Sequence, residues 1–166
     1  MILITKRFIL SLLVLFCVQA AYSQDISGVV KKVEALVNDA SSWKIQRRQE
    51  RNRDDSKVME TDWVNGREIV GVYLYQEPSV EAAANLLEEM RTAPVESIAT
   101  TGPVGRYDFG DESYIRSNGV YSTSSYILFR KGNVVVRIDS TSSGKITSAC
   151  TLKNAVRFAR LFEEQL

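Results

Sequence analysis

The sequence predicts an α+β domain: a single antiparallel β-sheet of about five strands with helices packed mainly on one face. Three observations predict it. Three segments carry apolar residues at helical spacing, two hairpins are marked by turns containing glycine, and the elements run helix, hairpin, helix, three strands, helix. Hairpins fix antiparallel pairing, because a two-residue turn cannot join parallel strands.

Residues 1–23 stand apart from that domain. Lys6 and Arg7 precede an apolar run from Phe8 to Val18, broken only by Ser11, and a short stretch with small residues follows. This is the layout of a secretory signal peptide. The run of 11 residues is about half of the roughly 20 that span a bilayer. Cleavage can follow Ala20 or Ser23; Ala21-Tyr22-Ser23 fits the small-x-small rule better and leaves Gln24 as the new N-terminus. Cys17 follows the bulky Phe16 and does not read as a lipid-attachment site. The expected location is the periplasm or the extracellular space, with residues 24–166 as one domain and no transmembrane segment after cleavage.

The signal segment holds two of the 21 basic residues and none of the 20 acidic ones, which leaves 19 against 20 and a net charge of −1. No global attraction to nucleic acid or to an anionic membrane follows, so no nucleic-acid partner is expected. Cys150 is then the one remaining cysteine, and stability must come from the core rather than from an internal disulfide. A domain of this size buries about 68% of its unfolded surface, enough to fold alone.

Ile26, Val29, Val30, Val33, Leu36, Val37 and Ala40 form one stripe of a helix over 26–40, capped by Asp25 or Ser27. The stretch 44–57 carries six basic and three acidic residues and almost no apolar content after Ile45. It reads as a charged connecting segment or a polar edge strand. Its basic residues can also meet an anionic ligand, although no aromatic residue interleaves to stack a base. Residues 58–64 and 67–76 read as strands joined by Asn65-Gly66, the sequence of a type I′ turn. Ser79 caps a helix from Val80 to Arg91 whose inner face is Val80, Ala83, Ala84, Leu87 and Met90.

Residues 107–116 read as extended, with a tight turn at Asn118-Gly119. Residues 125–130 and 133–139 pair around Lys131-Gly132, and the β-branched run from Val134 to Ile138 suits a pleated, half-buried surface. A last helix runs from Cys150 to Gln165, with Leu152, Val156, Ala159, Phe162 and Leu166 inward. The strand-then-helix order at 67–91 and 133–165 suggests two halves of similar design.

Histidine is absent, which removes the usual general base near neutral pH and the commonest zinc ligand. With one cysteine in addition, Ser-His-Asp, Cys-His and structural zinc sites are excluded, and no phosphate-binding glycine loop occurs. No metal or cofactor is expected. Carboxylate chemistry survives. Asp108, Asp111 and Glu112 form the densest acidic cluster and can supply an acid–base pair, but adjacent Asp111 and Glu112 on a strand point to opposite faces. The structural reading has Gly110 permitting a bend and Asp111 bonding local backbone amides. Cys150, near a helix start, is either a redox thiol or a small core residue. Trp43, Trp63, Tyr73, Tyr75, Tyr107, Tyr114, Tyr121 and Tyr126 can line a ligand groove or pair across strands in the core.

Two stretches, Gly110-Asp111-Glu112-Ser113-Tyr114 and the hairpin 127–138 (ILFRKGNVVVRI), together resemble small exported bacterial proteins of uncharacterised function. In those a Gly-Asp-Glu strand precedes a hairpin of the form Arg-x-Gly-Asn-x-Val-x-Val. The strand and Ala/Glu-rich helix over 72–90 fit the same pattern, so the resemblance covers about residues 67–140. It implies an antiparallel sheet and export, with Arg130, Gly132 and Asn133 as turn residues, and no activity. Asp111 is expected to pair with Arg130.

The leading functional expectation is non-enzymatic binding of a small ligand, a peptide or an envelope partner on the sheet face that the helices leave open. An apolar patch there supports it, and a uniformly polar face opposes it. A carboxylate-dependent hydrolase is the alternative, requiring two of Asp108, Asp111 and Glu112 to converge about 5–9.5 Å apart. A structural envelope protein forming a homodimer through a self-complementary patch is the third.

Overall fold

The structure of the protein, a computed structural model, describes residues 24–40, 42–93, 104–105, 108–117, 124–142 and 148–166. The segment 1–23, Tyr107, Tyr121 and the Asn118-Gly119 turn lie outside the described residues, as does the Cys150 side chain.

Helix α1 (Ile26–Ala40) starts at Asp25. The Asp25 carboxylate accepts from the Ser27 amide at 3.1 Å, meeting one of the amides that a helix start leaves open, and its carbonyl accepts the first helical bond from Val29 N at 3.0 Å. Helix α2 (Val80–Thr92) is capped by Ser79, whose Oγ accepts from Ala82 N at 3.0 Å, with Glu81 in the first turn and Arg91 in the last. Helix α3 spans Ser148–Gln165.

The strands are β1 (Lys44–Arg53), β2 (Ser56–Asn65), β3 (Glu68–Gln76), the two-residue β4 (Val104–Gly105), β5 (Glu112–Ser117), β6 (Ser124–Lys131) and β7 (Val134–Ser142). They form one sheet in the order β1-β2-β3-β7-β6-β5-β4, antiparallel throughout. The α+β class and the single antiparallel sheet are as expected, with six full strands rather than about five.

The additional strand is β1. The segment 44–57 is not a connection but the outer strand, its turn and the start of β2. Its charges hold it there by parity. Arg48 and Glu50 reach α1, pairing with Glu34 and with Ser27 Oγ (2.8 Å), while Arg47 and Arg51 point to the opposite face. Five basic residues on an edge also oppose pairing with a second copy.

Both glycine hairpins turn one residue later than expected. Asn65 pairs with Glu68 around Gly66-Arg67, and Lys131 pairs with Val134 around Gly132-Asn133. Only the first turn residue takes positive φ (Gly66 at 62°, Gly132 at 58°), the pattern of a type II′ rather than a type I′ turn.

Two helices lie on one face and one on the other. Below the sheet, α1 and α3 cover the main core: Ile26, Val30 and Val33 from α1, Phe158 and Phe162 from α3, and Trp63, Val72, Leu74, Ile127, Phe129 and Ile138 from the strands. Trp43 and Trp63 each meet the Phe158 ring edge-on at 5.4 Å, so both tryptophans belong to the core. Each fully buried side chain of this size contributes about 1.5–3 kcal/mol. Helix α2 packs Ala83 and Leu87 on Tyr126, Leu128 and Val135 of the upper face. Of its expected inner face Ala83, Leu87 and Met90 make the contact, Leu86 joins them, and Val80 is exposed. The two strand-then-helix units therefore place their helices on opposite sides of the sheet.

Candidate functional site

Helix α2 covers only part of the upper face, because its main contacts are with β6 and β7. Strands β1, β2 and β3 carry the rest. Register dictates what stands there, since only alternate residues point upward.

One row across the sheet runs Arg47, Asp62, Gly71, Asp139, Tyr126, and the next runs Gln49, Glu60, Tyr73, Arg137, Leu128. Gly71 has no side chain between the two aspartates, and the Tyr73 ring takes that space. A Cβ on Gly71 would sit 3.3 Å from the ring and 3.5 Å from Asp62 Oδ1. On one side of Tyr73, Arg47 Nε meets Asp62 Oδ2 at 2.7 Å, and Glu60, almost fully buried, pairs with Arg51. On the other, Arg137 Nη2 meets Asp139 Oδ2 at 2.8 Å. The Arg137 guanidinium carbon also lies 5.2 Å from the Tyr73 ring centroid and 5.4 Å from that of Tyr126, a cation held between two rings.

Burial is the largest influence on Asp139, Tyr73 and Tyr75. It holds the Asp139 carboxyl above the ordinary aspartate value, against the opposing pull of Arg137. It raises the Tyr73 phenol, helped by the Asp139 and Asp62 charges, and it raises Tyr75. Neither tyrosine is placed to act as a base near neutral pH.

Next to Tyr73 on the same strand, Tyr75 leads into a cleft of about 360 Å3 between α2 and the tip of the β1–β2 hairpin. Val58 and Tyr75 of the sheet, together with Ala82, Asn85, Leu86 and Glu89 of α2, line it. Arg53, Asp54, Ser56 and Glu77 complete it, and Ser56 Oγ donates to Glu77 Oε2 at 2.8 Å. The volume falls in the range of small-ligand sites. The upper face is thus neither an apolar patch nor uniformly polar: tyrosine rings alternate with ion pairs. The exposed large hydrophobics among the described residues, Leu36, Ile69 and Val80, sit on three separate elements.

The residues singled out in the sequence lie elsewhere. Asp111 Oδ2 accepts from Arg130 Nη1 and from the Gly132 amide, both at 2.8 Å, so the expected Asp111–Arg130 pair is present. Glu112 accepts from the Tyr114 hydroxyl. Asp108 is exposed, and none of the three carboxylates lines the cleft. Gly110 takes φ +57° and its amide donates to Glu163 Oε1 of α3 at 2.7 Å. Asn133 Nδ2 donates to the Glu77 carbonyl at 2.6 Å and ties the β6–β7 turn to the start of α2. These residues join elements rather than converge on an opening. No three His, Cys, Asp or Glu side chains among the described residues are grouped to hold a metal ion, and no described helix is long and apolar enough to cross a membrane.

Of the upper-face residues, Tyr73, Tyr75 and Tyr126 were legible as groove candidates, whereas Asp62, Asp139, Arg47 and Arg137 were not. An isolated glycine inside a strand pattern, Gly71, was the available pointer to a close approach there. Comparison of the chain with family models, with curated proteins and with solved structures finds no match.

Proposed function

We propose that the chain is an exported, non-enzymatic binding domain that holds its ligand in the cleft between α2 and the β1–β2 hairpin. The cleft carries this reading. It is concave, it mixes one aromatic wall with polar groups, and it opens beside a face carrying ion pairs between β1 and β2 and along β7. The expected apolar patch is not what supports binding here; a shaped polar and aromatic opening is. The hydrolase alternative draws no support from Asp111 and Glu112, which are occupied by Arg130, Gly132 and Tyr114.

Native mass spectrometry tests both halves of the proposal on protein expressed from the full gene and recovered from the envelope or the medium. A chain mass beginning at Gln24 is expected, together with a retained compound that the Leu86→Trp variant, with its cleft filled, no longer carries. A mass that includes residues 1–23 overturns export. A compound retained equally by Leu86→Trp, or none retained by either protein, overturns binding in the cleft.

A further inference from the structure

We propose that the ligand of this cleft presents an organic cation, an amine or guanidinium on an apolar stem; this rests on the binding reading above and specifies its chemistry. The inference starts from an imbalance. On the adjoining face every acidic group is matched: Asp62 by Arg47, Glu60 by Arg51, Asp139 by Arg137. In the cleft, Asp54, Glu77 and Glu89 face a single base, Arg53. Among the described residues no Lys or Arg forms an ion pair with any of those three carboxylates.

Charge alone does not make a site, and here the cavity adds the rest. Tyr75 offers a half-buried aromatic wall, which attracts a cation through its ring face. The molecule already uses that interaction next door, where Arg137 lies over Tyr73 and Tyr126. Val58 and Leu86 supply an apolar surface for the stem of such a ligand, and the exposed Asn85 adds a polar group at the rim. Anions meet the opposite field, with three carboxylates against one guanidinium. Lysine and arginine side chains of a peptide and free alkylamines share the required chemistry.

Titration of 15N-labelled protein by NMR distinguishes these sources and tests the proposal. The probes are Nα-acetyl-arginine amide, 1,5-diaminopentane, Nα-acetyl-norleucine amide and Nα-acetyl-glutamate amide. The arginine amide or the diamine is expected to shift the amides of Asp54, Tyr75, Asn85 and Leu86, and to bind at least about tenfold more tightly than the uncharged norleucine amide. A preference for the arginine amide identifies a peptide side chain, and a preference for the diamine a free amine. The double variant Asp54→Asn, Glu89→Gln alters two exposed residues and is expected to fold normally while losing about tenfold in affinity. Equal binding of the norleucine amide, tighter binding of the glutamate amide, or cleft amides unmoved by either cation overturns the cationic ligand. None of these outcomes touches the binding reading, which stands or falls on the compound lost from Leu86→Trp.

Discussion

Asp111 is joined to Arg130 across the start of β5: the carboxylate Oδ2 lies 2.8 Å from Arg130 Nη1, and Asp111 N donates to the Arg130 carbonyl at 2.8 Å. The same guanidinium reaches the Gly132 carbonyl at 3.0 Å. The stretch from Gly110 to Tyr114 and the β6–β7 hairpin are therefore the two halves of one latch. Arg130 keeps only 13% of its side chain exposed, so removing its partner leaves a mostly buried cation unpaired. Asp111 itself is half exposed, and solvent screening limits the loss. Asp111→Ala is expected to lower stability by about 1–2 kcal/mol in urea unfolding, and Asp111→Asn, which keeps an acceptor, by less. An Asp111→Ala protein as stable as the parent would show the latch to be idle.

Gly110 is the tightest point of that latch. A Cβ there would lie 2.2 Å from the Arg130 carbonyl oxygen, at φ +57°. The first obstacle is backbone, which cannot swing aside, and the second is a conformation that costs an L-residue about 1–2 kcal/mol. Gly110→Ala is expected to cost about 3 kcal/mol or more, counting the overlap, and to lower the thermal midpoint accordingly. Gly66→Ala, with positive φ but open space around it, should cost only the conformational part. Equal losses at the two glycines would mean that the latch relaxes around the methyl group.

What the sequence made legible, and what it hid, follows from how each element is held. The α1 stripe was readable because its apolar residues repeat at the helical period; Ile26, Val29, Val30, Val33 and Val37 are buried, while Leu36 is 44% exposed. β1 could be read only as a connecting segment or a polar edge strand, because an edge strand with ion pairs on both faces has no apolar alternation to decide between them. Its signature is the parity of Arg47 and Arg51 against Arg48 and Glu50, which has meaning only once the partners Glu60, Asp62 and Glu34 are known. The cleft was hidden for a related reason: β1, β2, β3 and α2 each lend it a few ordinary residues, and long-range register alone brings Arg53, Tyr75 and Glu89 together. The Asp111–Arg130 pair was accessible because a turn and a neighbouring strand end set it locally.

Asp54 connects stability to the proposed site. It is the first turn residue between β1 and β2 and, among the described residues, the one non-glycine at positive φ, 52°. Asp tolerates that region better than most residues but still less well than glycine. Asp54→Gly is expected to raise stability by about 0.5–1 kcal/mol while weakening binding of Nα-acetyl-arginine amide. Denaturation and NMR titration of the same variant measure the two effects. A variant that gains stability and keeps full affinity would remove Asp54 from the ligand contacts.

Asp139 gives the pH dependence a definite sign. Burial holds its folded-state pKa above the ordinary value of 3.8, and Arg137 only partly offsets this. The folded protein then keeps the Asp139 proton to higher pH than the unfolded chain does. In that window the folded state binds more protons, so the contribution of Asp139 to stability falls as pH rises from about 3.8 and levels off once both states are ionised. Glu50 has the opposite behaviour: hydrogen bonding from Lys57 lowers its pKa, and what it contributes is lost as pH falls. Comparing the parent with Asp139→Asn cancels Glu50 and every other shared group. The unfolding free energy of the parent minus that of Asp139→Asn, from urea titrations between pH 3 and pH 7, is expected to decline with rising pH and then flatten. A difference that grows with pH instead would mean that the guanidinium of Arg137, set between Tyr73 and Tyr126, outweighs burial and holds Asp139 ionised.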